Sequence, residues 1–187
     1  VVPNGVPASV RRRGAVPPSE TWHIGTVALF RPRKGLEVLL DAIALLKRRG
    51  LTLRLRAVGP FETEEYETEI MQRVERLGPG NDIVWVGFTQ DVTRELTQMD
   101  LFVLPSLFGE GLPMVVLEAM AAGVPVVGTQ VEGVPEAIKD GVNGVIAKPG
   151  DSDDLAHAMR RIIDRELDWC DLRARAIQSH ADSFSAA

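Results

Sequence analysis

Short apolar runs alternate with amphipathic helical stretches about six times along this chain, and few architectures accept such an order. The first strand is expected at Trp22 to Leu29. After it, Leu36, Leu39, Leu40, Ile43 and Leu46 recur at i, i+3, i+4, i+7 and i+10, one face of a 3.6-residue period, and Gly50 supplies the stop. "LTLRLRAV" from Leu51 alternates apolar with polar residues, which predicts a strand with one wet face, lying towards a sheet edge. A polar helix over 64–77, the strand "DIVWVG" and a helix over 91–98 come next. "LFVLP", bounded by Asp100 and Pro105, is apolar throughout, as a central parallel strand should be.

Pro113 suits a first helical position, where its missing N–H would have had no partner, so a helix is expected over 114–122 and should end at Gly123. "PVVGT" and "NGVIA" read as short strands. A helix from Asp151 or Ser152 turns Leu155, Met159 and Ile162 inward, and a final helix spans 168–181. The sum is an α/β fold: a Rossmann-like, doubly wound parallel sheet of about six strands with helices on both faces. Residues 1–21, rich in Gly and Pro, are expected to be a linker and entry segment, with Arg11-Arg12-Arg13 a flexible basic stretch of it, and 22–187 the domain.

In such folds ligands bind outside the carboxyl ends of the strands. The unusual loops fall there: "RPRKG", the Gly-Pro at 59–60, the Gly-Phe at 87–88, "PSLFGEG" and "GTQVEGVP". Arg31, Arg33 and Lys34 crowd a connection into a helix N-terminus, whose dipole prefers anions, and an anionic ligand would relieve that conflict. Glu110 lies just before the helix at 114, and Glu118 is little more than one turn inside it. Both carboxylates therefore face the crevice, together with the free amides of Leu112, Met114 and Val115. Amides for an anion and carboxylates for hydroxyls would suit a sugar attached to a nucleoside diphosphate.

Other chemistries have less support. Lysine plus arginine number 21 against 26 acidic residues, a net charge of −5, which argues against nucleic acid as the partner. Three scattered histidines and one cysteine, Cys170, make no metal site or internal disulfide. No Gly-x-Gly-x-x-Gly follows a strand. No apolar run approaches the roughly 18 residues that span a bilayer, so a soluble, cytoplasmic protein is expected, with any membrane contact of the full-length protein peripheral.

"EGLPMVVLEAMAAGVPVVGTQVEGVPEAI", with "RKG" before it and "NGVIAKPGDSDDLAHAM" after, resembles the donor-binding, C-terminal half of a retaining GT-B glycosyltransferase of glycosyltransferase family 4. The likeness runs from "VPNGV" to near Arg165. It implies that Glu118 holds the ribose, that Glu110 contacts the transferred sugar, and that Lys34 binds the diphosphate with Arg33 or Arg31. Gly111, Leu112, Met114 and Val115 would line the donor site. It further implies a nucleotide-sugar donor (UDP-, GDP- or ADP-linked), no metal or other cofactor, and an acceptor (glycan, lipid or small molecule) held mainly by an N-terminal domain that this chain lacks.

The chain departs from the family pattern at three places. Ala28, preceded by Val27, stands where an arginine is common, and Pro113 and Glu132 stand where glycines are common. The resulting expectation is an excised half enzyme, inactive alone, with a non-catalytic nucleotide-sugar-binding or regulatory module as the alternative.

Overall fold

The computed structural model describes residues 5–9, 11–78 and 82–185. Residues 2–4 of "VPNGV" and the last two residues of the expected domain lie outside them. Strands and helices alternate as β1 (Thr21–Val27), α1 (Leu36–Arg48), β2 (Thr52–Val58), α2 (Glu64–Leu77), β3 (Ile83–Gly87), α3 (Val92–Leu96), β4 (Leu101–Leu104), α4 (Met114–Ala121), β5 (Val126–Thr129), α5 (Val134–Ala137), β6 (Val145–Ala147), α6 (Ser152–Ile163) and α7 (Trp169–Ser183). All pairings in the six-stranded sheet are parallel, in the order β3-β2-β1-β4-β5-β6. The order reverses between β1 and β4, whose register sets Ile24 beside Leu101. A crevice opens at such a switch point, outside the carboxyl ends of the strands.

Each face of the sheet has its own core. On one, α1, α2 and α6 bury Leu39, Leu46, Leu53, Leu55, Leu155 and Ile162. On the other, α3, α4 and α7 bury Phe102, Leu104, Val116, Met120, Val126 and Ala176. Each large side chain so buried contributes roughly 1.5–3 kcal/mol before the entropy of ordering it is subtracted. Side-chain caps fix four of the helices: Thr63, Asp91, Asp151 and Asp168 accept from the amides of Tyr66, Arg94, Asp154 and Asp171.

β2 lies towards the sheet edge, next to the edge strand β3, with the one wet face that its alternation predicts. α3, only five residues long, leaves Thr52 and Arg54 bare, while Arg56 reaches Glu95 of α3 at 2.6 Å. Two expectations need correction. Pro113 is the N-cap of α4, in extended geometry, and not its first helical residue. The described residues before β1 form no regular element, yet they are not a flexible linker. Val6 is buried and its amide donates to the Phe184 carbonyl at 2.9 Å, Arg11 pairs with Asp91, and Arg13 pairs with Asp100. α5 was not expected, because four residues containing Pro135 give no period to read.

Beyond β1, β2 and β3 an aromatic cluster seals the sheet. The rings of Phe30 and Phe61 lie 5.3 Å apart, and those of Phe61 and Trp85 5.6 Å apart. This cluster fixes the chain just before Arg31.

Candidate donor-binding site

The loop after β1 makes a single 3-10 turn, Pro32–Lys34, and then enters α1 through Gly35. Gly35 sits at φ 67°, and a Cβ there would lie 2.0 Å from the Pro105 carbonyl oxygen. Only glycine lets the two loops at the switch point touch backbone to backbone. Leu107 donates its amide to the Arg33 carbonyl at 2.8 Å, which joins the loop after β1 to the loop after β4. The latter is also anchored from β5, where buried Thr129 donates its hydroxyl to the carbonyl of Ser106 at 2.5 Å.

This union brings Lys34 onto Glu110. Lys34 Nζ pairs with Glu110 Oε1, and Ser106 Oγ donates to the same oxygen at 2.6 Å. The side chains of Lys34 and Glu110 are 16% and 9% exposed. A carboxylate this buried needs partners, and here it has both a cation and a hydroxyl. Both use Oε1, and Oε2 accepts no hydrogen bond among the described residues. The carboxylate thus keeps acceptor capacity for something else.

Arg33 lies on the same loop pair: its Nη1 donates to the Gly109 carbonyl at 2.7 Å. Arg31 goes the other way, to Glu62 at 3.1 Å, so the loop of Glu110 receives Arg33 and Lys34 but not Arg31. No arginine stands at position 28, where Ala28 is locked into the backbone by its amide to the Val58 carbonyl at 3.0 Å. At the start of α4 the amides of Met114 and Val115 take no partner among the described residues. They form an open helix N-terminus beside Gly111 and Leu112.

Glu118 stands apart from the Glu110 cluster. It lines a groove of about 420 Å³ together with Val6, Ser9, Asp91 and Thr93. Its carboxylate makes no hydrogen bond or ion pair among the described residues, and burial pushes its pKa up from the ordinary glutamate value. A second, apolar hollow of about 350 Å³ lies between α1 and α2, lined by Leu40, Ile43, Val74 and Leu77, away from these groups.

The family model described as Glycosyl transferases group 1 matches residues 11–182. The chain belongs to that family. Among curated relatives, the amylovoran biosynthesis glycosyltransferase AmsK of Erwinia amylovora is 35% identical over 152 residues, 76% of this chain and 36% of that protein. The putative glycosyltransferase EpsD of Bacillus subtilis is 34% identical over 166 residues, 82% of this chain and 42% of that one. The chain thus spans about a third to two fifths of these relatives' lengths.

Among solved structures, HepE of Anabaena in complex with UDP-glucose is 28% identical with a TM-score of 0.82, over 88% of this chain and 45% of that one. A likeness of fold alone is given by the C-terminal domain of a group 1 glycosyl transferase from Francisella tularensis. It is 22% identical with a TM-score of 0.81, covering 98% of this chain and 100% of that domain.

In this group 1 chain, then, the structure brings Lys34 and Arg33 onto the loop of Glu110, with α4 starting four residues after Glu110 and Glu118 one turn further along. Sequence reasoning did not assign roles to Ser106 and Thr129, whose only signal was their place at strand ends. No cluster of three or more His, Cys, Asp or Glu able to hold a metal occurs among the described residues. No described helix is long and apolar enough to cross a membrane.

Proposed function

We propose that this chain is the donor-binding half of a retaining glycosyltransferase that moves a sugar from a nucleotide sugar to an acceptor. The observation that carries the reading is the half-used carboxylate of Glu110. It is held by Lys34 and Ser106 through one oxygen, beside an open helix N-terminus. An acceptor oxygen in the loop that leads directly into a helix with unpaired first amides matches a ligand that presents hydroxyls next to an anion. HepE of Anabaena, solved in complex with UDP and with UDP-glucose, supports the same class of donor.

In this reading the diphosphate lies against Lys34, Arg33 and the amides of Met114 and Val115, with the sugar hydroxyls on Glu110 and the ribose on Glu118. Charge grows on the diphosphate as its bond to the anomeric carbon breaks. Lys34, Arg33 and the preset amides stabilise that charge in place of water. Lys34 must then turn from Glu110 towards the phosphate, and Oε2 is the oxygen already free to meet the sugar. No metal is required, because the cationic groups come from the protein.

The acceptor, a glycan, lipid or small molecule, would be held by a second domain. Bringing donor and acceptor together can account for roughly 7–11 kcal/mol of a barrier, so residues 1–187 alone should not transfer sugar at a useful rate. The absence of an arginine at position 28 favours a second reading, a module that binds nucleotide sugar without transferring it. Titration of the chain with UDP-, GDP- and ADP-sugars in chelator tests the site. A ligand at 100 times its Kd should stabilise the fold by about 2.7 kcal/mol. No thermal shift with any of them at millimolar concentration would overturn the reading, and a transfer assay on a longer chain separates enzyme from module.

A further inference from the structure

Glu132, in the loop between β5 and α5, faces the loop of Glu110. Its Oε1 accepts the amide of Gly109 at 3.0 Å and its Oε2 accepts the amide of Glu110 at 3.2 Å. The peptide that joins Gly109 to Glu110 is held on its other side as well, because its carbonyl oxygen accepts Arg33 Nη1 at 2.7 Å. One peptide unit is therefore gripped at both poles, N–H by a carboxylate and C=O by a guanidinium. Gly133 adds a third tie, donating its amide to the Glu110 carbonyl at 3.2 Å. No side chain fits at Gly133, since a Cβ would lie 2.5 Å from the Gly111 carbonyl oxygen.

The grip falls where the backbone is least able to hold itself. Gly109 sits at φ 73° and has no Cβ, so rotation of the peptide that follows it meets little steric resistance. That peptide sets the direction in which the Glu110 side chain leaves the backbone. The two amides also hold the Glu132 carboxyl below its ordinary pKa, with nearby Arg33 adding to the effect, so its acceptor form persists at neutral pH.

We propose that Glu132 is a positioning residue for sugar recognition: by holding the Gly109–Glu110 peptide it aims the Glu110 carboxylate at the sugar of a nucleotide sugar. The proposal rests on the donor-site reading above. It separates the two parts of the ligand. The sugar meets Glu110, whose direction depends on Glu132, whereas the nucleotide meets Lys34, Arg33, the start of α4 and Glu118, none of which hydrogen-bonds to Glu132. A simple staple between loops would change stability and treat both parts alike. A carboxylate that merely filled an anion site would tighten binding on removal.

The test uses Glu132→Ala and Glu132→Gln in the 187-residue chain. Amide hydrogen exchange is followed at Gly109 and Glu110 without ligand, and calorimetry is run with UDP-, GDP- and ADP-glucose and the matching nucleoside diphosphates. In Glu132→Ala the two amides should exchange about tenfold faster or more, the bound nucleotide sugar should weaken about tenfold, and its diphosphate should stay within about twofold. Glu132→Gln keeps one acceptor oxygen and should recover part of the loss. Unchanged exchange, equal weakening of both ligands, or tighter binding would overturn the proposal while leaving the donor site standing. Failure of the unmutated chain to bind any of these ligands would overturn the donor-site reading, and the sugar-specific effect with it.

Discussion

β4 is four residues long and has a buried carboxylate at each end, Asp100 before it and Glu110 in the loop after it. Asp100 is saturated. Its Oδ1 accepts Arg13 Nη2 at 2.6 Å and Nε at 3.1 Å, and its Oδ2 accepts the His23 amide at 2.8 Å with His23 Nδ1 at 3.1 Å. Its carbonyl takes the indole N–H of Trp169 at 2.8 Å, and Arg13 lies over the same indole. Glu110 uses one oxygen and leaves the other free among the described residues. Two buried carboxylates thus differ in commitment. The amino end of the sheet is closed on itself, a structural latch, while the carboxyl end is left short of partners that a ligand can supply.

The largest expected effect breaks the latch. Asp100→Ala leaves the Arg13 guanidinium, 21% exposed, without its partner. Losing one member of a buried pair typically costs about 3–5 kcal/mol. Urea unfolding should show a loss in this range, with nucleotide affinity unchanged in the folded protein; a loss of affinity as large as the loss of stability would end the division between the two ends.

At the other end, Lys34→Ala should weaken a nucleoside diphosphate and its sugar by about 1.5–3 kcal/mol, roughly tenfold to a hundredfold, with a smaller change in stability. Calorimetry beside urea unfolding checks both halves of that statement.

Separating the two glutamates sharpens the contrast further. Glu110→Gln should weaken the nucleotide sugar by a similar or smaller factor and leave the diphosphate nearly unchanged, whereas Glu118→Gln should weaken both alike. Equal losses for both ligands at Glu110, or none at Glu118, would reverse the roles.

The smallest effect concerns pH. Burial raises the Glu118 carboxyl above its ordinary value of 4.5, so the folded state prefers the protonated acid. Stability from this group is fully present below the unfolded value and falls as pH rises through the folded one. Glu118→Gln should flatten that slope, leaving stability at acid pH unchanged and raising it slightly near neutrality. Urea midpoints measured across the acid-to-neutral range would show a slope identical to the parent's if Glu118 is not the group responsible.

The latch and the site were unequally legible in sequence. Strand and helix order followed from apolar period, and Glu110, Lys34 and Arg33 stood out because charge in a strand-end loop has few structural uses. Asp100 was read only as the boundary of an apolar strand, because its partners Arg13 and His23 lie 87 and 77 residues away. The alternation of β2 places it towards the edge, where it lies beside β3, but does not tell that a short covering helix helps to leave its polar face bare. Glu132 was noticed as a departure from glycine, but its bonds to two backbone amides have no side-chain signature at the other end. The direction of Arg31 was open for a similar reason: the choice between Glu62 and the crevice depends on where the loop after β2 lies.

The three tryptophans are divided between these regions. Trp22 and Trp169 are buried at the amino end, 6% and 2% exposed, and Trp169 bonds to the latch itself. Trp85 is half-buried in the cluster with Phe30 and Phe61 that fixes the chain leading to Arg31. The molecule therefore carries two separate optical probes. Blue-shifted emission from the enclosed pair reports the integrity of the fold, and quenching or a wavelength shift confined to the third reports rearrangement beside the crevice, without a label attached.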